Sequence, residues 1–92
     1  MKIIELIRIR TGSANYQKSF ETLQQIAIDA MLKAPEGMAE FFKEGSITGD
    51  FACFIYWNEQ PNGAEGSALG LKIRKSLESL GIVDHTVWTL IK

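Results

Sequence analysis

The apolar positions of this chain change their period several times, and the order of the changes predicts the fold. A β-branched run, Ile3 to Ile9, alternates faces at a two-residue period: Ile4, Leu6, Arg8 and Arg10 lie on one side, Ile3, Glu5, Ile7 and Ile9 on the other. From Tyr16 to Leu32 the period becomes helical, with Phe20, Leu23, Ala27, Ala30 and Met31 on one stripe and Lys18, Glu21, Gln24, Gln25 and Asp29 mostly opposite. Ser13 or Asn15 can cap this helix, and Ala34-Pro35-Glu36-Gly37 ends it. Met38 to Trp57 reads as a hairpin. Its first arm, to Gly45, is charged enough for a sheet edge, and its second, Phe51 to Trp57, is the strongest strand signal in the chain and belongs in the sheet centre.

A second helical stretch, Glu65 to Leu80, carries Leu69, Ile73, Leu77 and Leu80 on one stripe. Asn62 with Glu65, or Ser67 alone, would cap it, and Gly81 would stop it. Gly66 and Gly70, four residues apart, indicate close packing on a neighbour or a frayed first turn rather than a phosphate cradle, because a polar loop and not a strand precedes them. The closing apolar run, Ile82 to Ile91, reads as a strand from Asp84 to Ile91, with Thr86, Trp88 and Leu90 opposite His85, Val87, Thr89 and Ile91. The resulting order, βαββαβ, is the split-βαβ sandwich, an α+β arrangement whose four-stranded antiparallel sheet carries two helices on one face. The other face, with its Leu, Ile, Phe, Tyr and Trp, then needs a cover, and a twofold homodimer in which two sheets face each other supplies one.

Composition narrows the function classes. Ninety-two residues without a repetitive tract suit one domain over 1–92, and a domain this small gains much from an apolar dimer interface. The net charge of −1 and the scattered Lys and Arg argue against nucleic acid or an anionic membrane as partner. Lys72, Arg74 and Lys75 cluster where a helix dipole favours cations, so a solvated face explains them. A single cysteine, Cys53, inside an apolar run excludes an internal disulfide and a thiolate metal cage, and reads as a small buried hydrophobe. Neither a signal peptide nor a membrane-spanning run is evident, so a cytoplasmic protein is expected.

The βαββαβ order, the aromatic strand Phe51 to Trp57 and the stretch Ser67-Ala68-Leu69-Gly70-Leu71 through Ser79-Leu80-Gly81-Ile82-Val83-Asp84-His85-Thr86-Val87-Trp88 together resemble the ferredoxin-like dimeric α+β barrel superfamily, and within it the antibiotic-biosynthesis-monooxygenase-like proteins. The likeness covers nearly the whole chain and is one of pattern and length. It implies a homodimer through the sheet face and, among the activities of that superfamily, a cofactor-independent monooxygenase acting on a small aromatic or polyketide-like compound. The haem-degrading branch uses an Asn, a Trp and a His around the porphyrin, a trio that cannot be placed here, and no catalytic residue is carried over.

From the residues themselves, His85, the only histidine, and Tyr56 are the acid/base candidates. Set against this, a histidine at a strand's start is more often solvent-facing or locally bonded. Asp84 points away from His85 in a regular strand, which leaves no relay between them, and Asp50, before the aromatic strand, is a candidate for orienting a histidine, with a turn as its default role. Trp57 and Trp88 are candidates for stacking on a planar ligand, and Arg8 and Arg10 for clamping a carboxylate. The bland alternatives are sheet packing for the aromatics and Glu pairing for the arginines. No triad, metal cluster or dinucleotide loop can be assembled from one His and one Cys. The competing class is a non-catalytic small-ligand-binding or dimerisation module, favoured by how few polar groups would converge on a pocket. A free-standing ligand sensor is a weaker third class.

Overall fold

The computed structural model describes residues 2–12, 14, 16–33, 38–57 and 66–92, without the side chains of Met31 and Lys33. Its elements are β1 (Ile3–Arg10), α1 (Tyr16–Lys33), β2 (Ala39–Lys43), β3 (Asp50–Trp57), α2 (Ala68–Leu77) and β4 (Ile82–Thr89). The four strands form one sheet in the order β2-β3-β1-β4, and all neighbours are antiparallel. This is the ferredoxin-like βαββαβ architecture expected from the pattern, with β1 and β3 central and the charged strand β2 at an edge. The caps expected at Ser13, Asn15 and Asn62 with Glu65 fall outside the described residues.

Two boundaries differ from expectation. The last strand begins two residues earlier and ends at Thr89, because Ile82 and Val83 pair with Arg10 and Ile9 and the last residue pair of the ladder is Ile3 with Thr89. A final bond from Leu90 N to Lys2 O (2.8 Å) closes the ladder. Helix α2 starts at Ala68, where Ser67 acts as N-cap and its hydroxyl accepts from Gly70 N at 2.9 Å.

Both helices lie on one face, α1 against β2 and α2 over β1 and β4. Beneath them Ile7, Ile9, Phe51, Cys53 and Ile55 from the sheet meet Leu23, Ala30, Ile73 and Leu77 from the helices. Tyr16, Phe20 and Phe51 form a ring cluster with centroids 5.8–5.9 Å apart. Burial pushes the Cys53 thiol up to about 12, with the negative charge of Glu5 as a further cause, so it stays a neutral hydrophobe at neutral pH. Gly81 is needed for close approach, since a Cβ there would stand 2.1 Å from Arg10 O.

The second sheet face carries Ile4, Leu6, Arg8 and Arg10 of β1 beside Ala52, Phe54 and Tyr56 of β3, with Phe42 and Trp88 towards the edges. No helix of the described chain covers it. Ile82 is 74% and Trp88 60% exposed there. Among the described residues no helix is long and apolar enough to cross a membrane.

Candidate functional site

The most unusual residue in the structure is Glu5. It occupies the helix-facing row of β1 with Ile3, Ile7 and Ile9, and its relative exposure is 0%. A carboxylate in that row loses its hydration and must find replacement donors. The register supplies two of them. Glu5 stands opposite Ile55 on β3 and Val87 on β4, which makes Trp57 and His85 its diagonal neighbours on either side. Trp57 Nε1 donates to Glu5 Oε1 at 2.7 Å, and His85 Nε2 lies 2.8 Å from Oε2. The third donor comes from above: Ser67 N, at the start of α2, gives a 2.9 Å bond to Oε1.

The glycines make this cluster geometrically possible. A Cβ on Gly70 would stand 2.0 Å from Glu5 Oε2, and one on Gly66 would stand 2.5 Å from His85 Cε1. Gly66 also has φ +120°, a conformation that side chains disfavour. The close-packing reading of this pair therefore holds, and its object is a buried carboxylate and imidazole.

Burial by itself would raise the Glu5 carboxyl, but the bonds from Ser67, His85 and Trp57 outweigh it and hold the group below its ordinary range. An ionised Glu5 can only accept, so Nε2 of His85 must carry the proton it shares. In the neutral ring the lone pair then resides on Nδ1. That atom is buried and has no hydrogen-bond partner among the described residues. Only 1% of the His85 side chain is exposed. Instead of facing solvent, the histidine is bonded to a residue 80 positions away, because β4 turns its alternate residues Val83, His85 and Val87 under α2.

The residues singled out from the sequence separate onto two faces. His85 and Trp57 share the helix side, where Trp57 binds Glu5 and does not stand free as a stacking platform. Tyr56, Arg8, Arg10 and Trp88 are on the other side. There the Tyr56 hydroxyl is raised by partial desolvation and by its hydrogen bond to Glu40, which favours its protonated form. Arg8 pairs with Asp84 at 3.5 Å and Arg10 with Asp50 at 3.4 Å. Trp88 Nε1 donates to Thr86 Oγ1 at 2.8 Å. As expected, Asp84 points away from His85. Asp50 also faces away from it and so does not orient the ring. Tyr56 and His85 cannot act on one atom from opposite sides of a sheet.

Two depressions lie on the described surface, and neither is lined by Glu5 or His85. One of about 260 Å³ on the open face is lined by Arg8, Arg10, Phe42, Ala52 and Asp84. Another of about 280 Å³ runs between α1 and the sheet edge at Phe20, Leu23, Phe41 and Phe51. The described residues hold no group of three or more His, Cys, Asp or Glu able to share a metal ion.

No protein-family model and no curated protein matches the sequence. Solved structures do match the fold. A protein of Nitrosomonas europaea provisionally described as an antibiotic biosynthesis monooxygenase superposes with a TM-score of 0.67 at 6% identity, over 98% of this chain and 90% of its own. A Bacteroides thetaiotaomicron protein described as a possible oxidoreductase gives 0.66 at 13% identity, with 97% of each chain covered. A point mutant of SnoaB, a cofactor-independent oxygenase from Streptomyces nogalater, gives 0.64 at 12% identity over 99% of this chain and 94% of its own. The class so defined is the ferredoxin-like fold of these proteins.

Proposed function

We propose that this chain is a single-domain, homodimeric α+β barrel of the cytoplasm that acts as a cofactor-independent oxygenase on a small aromatic or polyketide-like compound. The observation that carries the reading is the buried Glu5–His85 pair with its unpartnered Nδ1, since such chemistry needs a base shielded from water and little else from the protein. The same fold in SnoaB, described as a cofactor-independent oxygenase, supports it.

In this reaction a substrate bearing an activated CH2 between aromatic rings gives a proton to His85 Nδ1, and Glu5 stabilises the imidazolium formed. The carbanion transfers one electron to dioxygen, the two radicals combine, and the new C–O bond leaves a peroxide that recovers the proton from His85. Loss of the remaining C–H proton then cleaves the O–O bond, so CH2 and O2 become a carbonyl and water. Trp57 and Ser67 position Glu5. Arg8, Arg10, Tyr56 and Trp88 lie on the opposite sheet face and line the space between the two sheets of the dimer, where they contact the partner.

Oxygen uptake with an anthrone- or quinol-type substrate tests the proposal. Wild type is expected to consume oxygen well above background, and His85→Ala and Glu5→Gln to lose about 10²-fold or more. Background rates in wild type, or equal rates in all three proteins, would remove it. The second reading is a non-catalytic binding or dimerisation module, in which the cluster only ties β1, β3, β4 and α2 together. It is favoured by the closure of that cluster, where neither Glu5 nor the His85 side chain meets solvent.

A further inference from the structure

We infer that the Glu5–His85 site selects an uncharged ligand that donates a hydrogen bond, such as a hydroxyarene, and turns away the corresponding carboxylate. The inference deepens the oxygenase reading and rests on it for the site, but the selectivity follows from which polar atoms are already committed.

A helix N-terminus near a sheet is normally where an anion binds, through free amides and the helix dipole. Here two of the amides at that end are committed to the protein's own groups. Ser67 N is given to Glu5 Oε1 and Gly70 N to the Ser67 hydroxyl. The Trp57 indole N–H is given to Oε1, and His85 Nε2 to Oε2. Every donor named is therefore directed at a group of the protein, and the cluster bears one negative charge when the ring is neutral. The arginines of β1 do not neutralise it, since they face the opposite side of the sheet and pair with Asp84 and Asp50.

Among the described residues of the cluster, Nδ1 of His85 is the side-chain atom left without a partner, and in the neutral ring it is an acceptor. A hydroxyl or N–H satisfies it directly. A carboxylate does not: it meets an acceptor instead of a donor, and the Glu5 charge lies just beyond the ring in surroundings too dry to screen it. The ligand must arrive uncharged and leave its proton at Nδ1, where it is balanced by Glu5. Glycine at 66 and 70 preserves this arrangement, since any side chain there would displace the imidazole or the carboxylate.

Because His85 is the only histidine, its two ring nitrogens can be followed without mutation by nitrogen-15 NMR of untagged protein. At about pH 8, 1-naphthol is largely uncharged and 1-naphthoate is fully ionised. We expect the proton on Nε2, a saturable shift of the Nδ1 resonance with naphthol, and naphthoate binding at least about tenfold weaker. Glu5→Gln, which removes the charge and leaves Nδ1 in place, should shrink that ratio. The proton on Nδ1, naphthoate binding as tightly as naphthol, a ratio unchanged in Glu5→Gln, or no shift with either compound would each overturn the inference. If Glu5→Gln does not fold, the wild-type ratio alone decides. A naphthol-selective shift without oxygen uptake would refute the oxygenase and leave the ligand class standing. Uptake with equal affinities would do the reverse.

Discussion

At the scale of single residues, Glu5 is the fully buried carboxylate of the helix face. An ionised carboxylate among isoleucines is tolerated because three donors replace its water, so removing it strands an indole N–H, a backbone N–H and an imidazole in a dry interior. Glu5→Ala is expected to cost about 3–5 kcal/mol in urea unfolding at neutral pH, and Glu5→Gln, which keeps an acceptor, about 1–3 kcal/mol. The pH dependence has a definite sign. The folded-state carboxyl is more acidic than its unfolded reference of 4.5, so its stabilisation is fully present above that value and is lost as pH falls through the lower folded value. The gap between wild type and Glu5→Gln should narrow steadily below pH 4.5. A constant gap down to acid unfolding would show that the three bonds are made as well by a neutral side chain.

At the scale of elements, the start of α2 couples two different jobs in one residue. Ser67→Ala removes a helix cap and the hydroxyl's hydrogen bond to Glu5 while leaving the backbone N–H on that carboxylate, so a loss of about 1–3 kcal/mol is expected, read as a lower melting temperature together with a shifted His85 spectrum. In Gly70→Ala a methyl group is placed 2.0 Å from Glu5 Oε2. Although alanine is the better helix former, it should destabilise by about 1–3 kcal/mol and shift the histidine resonances, because the carboxylate beneath it must move. A stabilising Gly70→Ala would mean that α2 can lift from the sheet at little cost. Gly81 shows the same logic at the other end of the helix, where a close approach to β1 fixes where β4 begins.

At the scale of the whole molecule, helices cover one sheet face and, among the described residues, none covers the other. Trp88, Ile82 and Phe42 are exposed beside half-buried Ile4, Leu6, Phe54 and Tyr56, a patch of the kind that marks an interface. Sedimentation of wild type should therefore give a dimer at micromolar concentration. Leu6→Glu, central on that face and with its side chain on the opposite side of the sheet from that of Glu5, should give a folded monomer with an unperturbed His85 spectrum. A monomeric wild type would leave the face wet and remove the barrel assembly.

Much of this was legible along the chain. Alternation in β1 and β3, the helical stripes and the glycine and proline breaks are local properties, and they are enough to order the six elements and to place β2 at an edge. The two-residue period also separates Asp84 from His85 without coordinates. Even Glu5 left a trace, as the one charge in a row of isoleucines, although nothing nearby says what would satisfy it. Its partners Trp57, Ser67 and His85 come from elements far along the chain, and only strand register and the seating of α2 bring them to one carboxylate. Sequence periodicity decided the fold because backbone geometry repeats every few residues. The site was decided by tertiary structure, because a buried charge is stabilised by whichever distant donors the packing delivers, and local pattern carries no record of that distance.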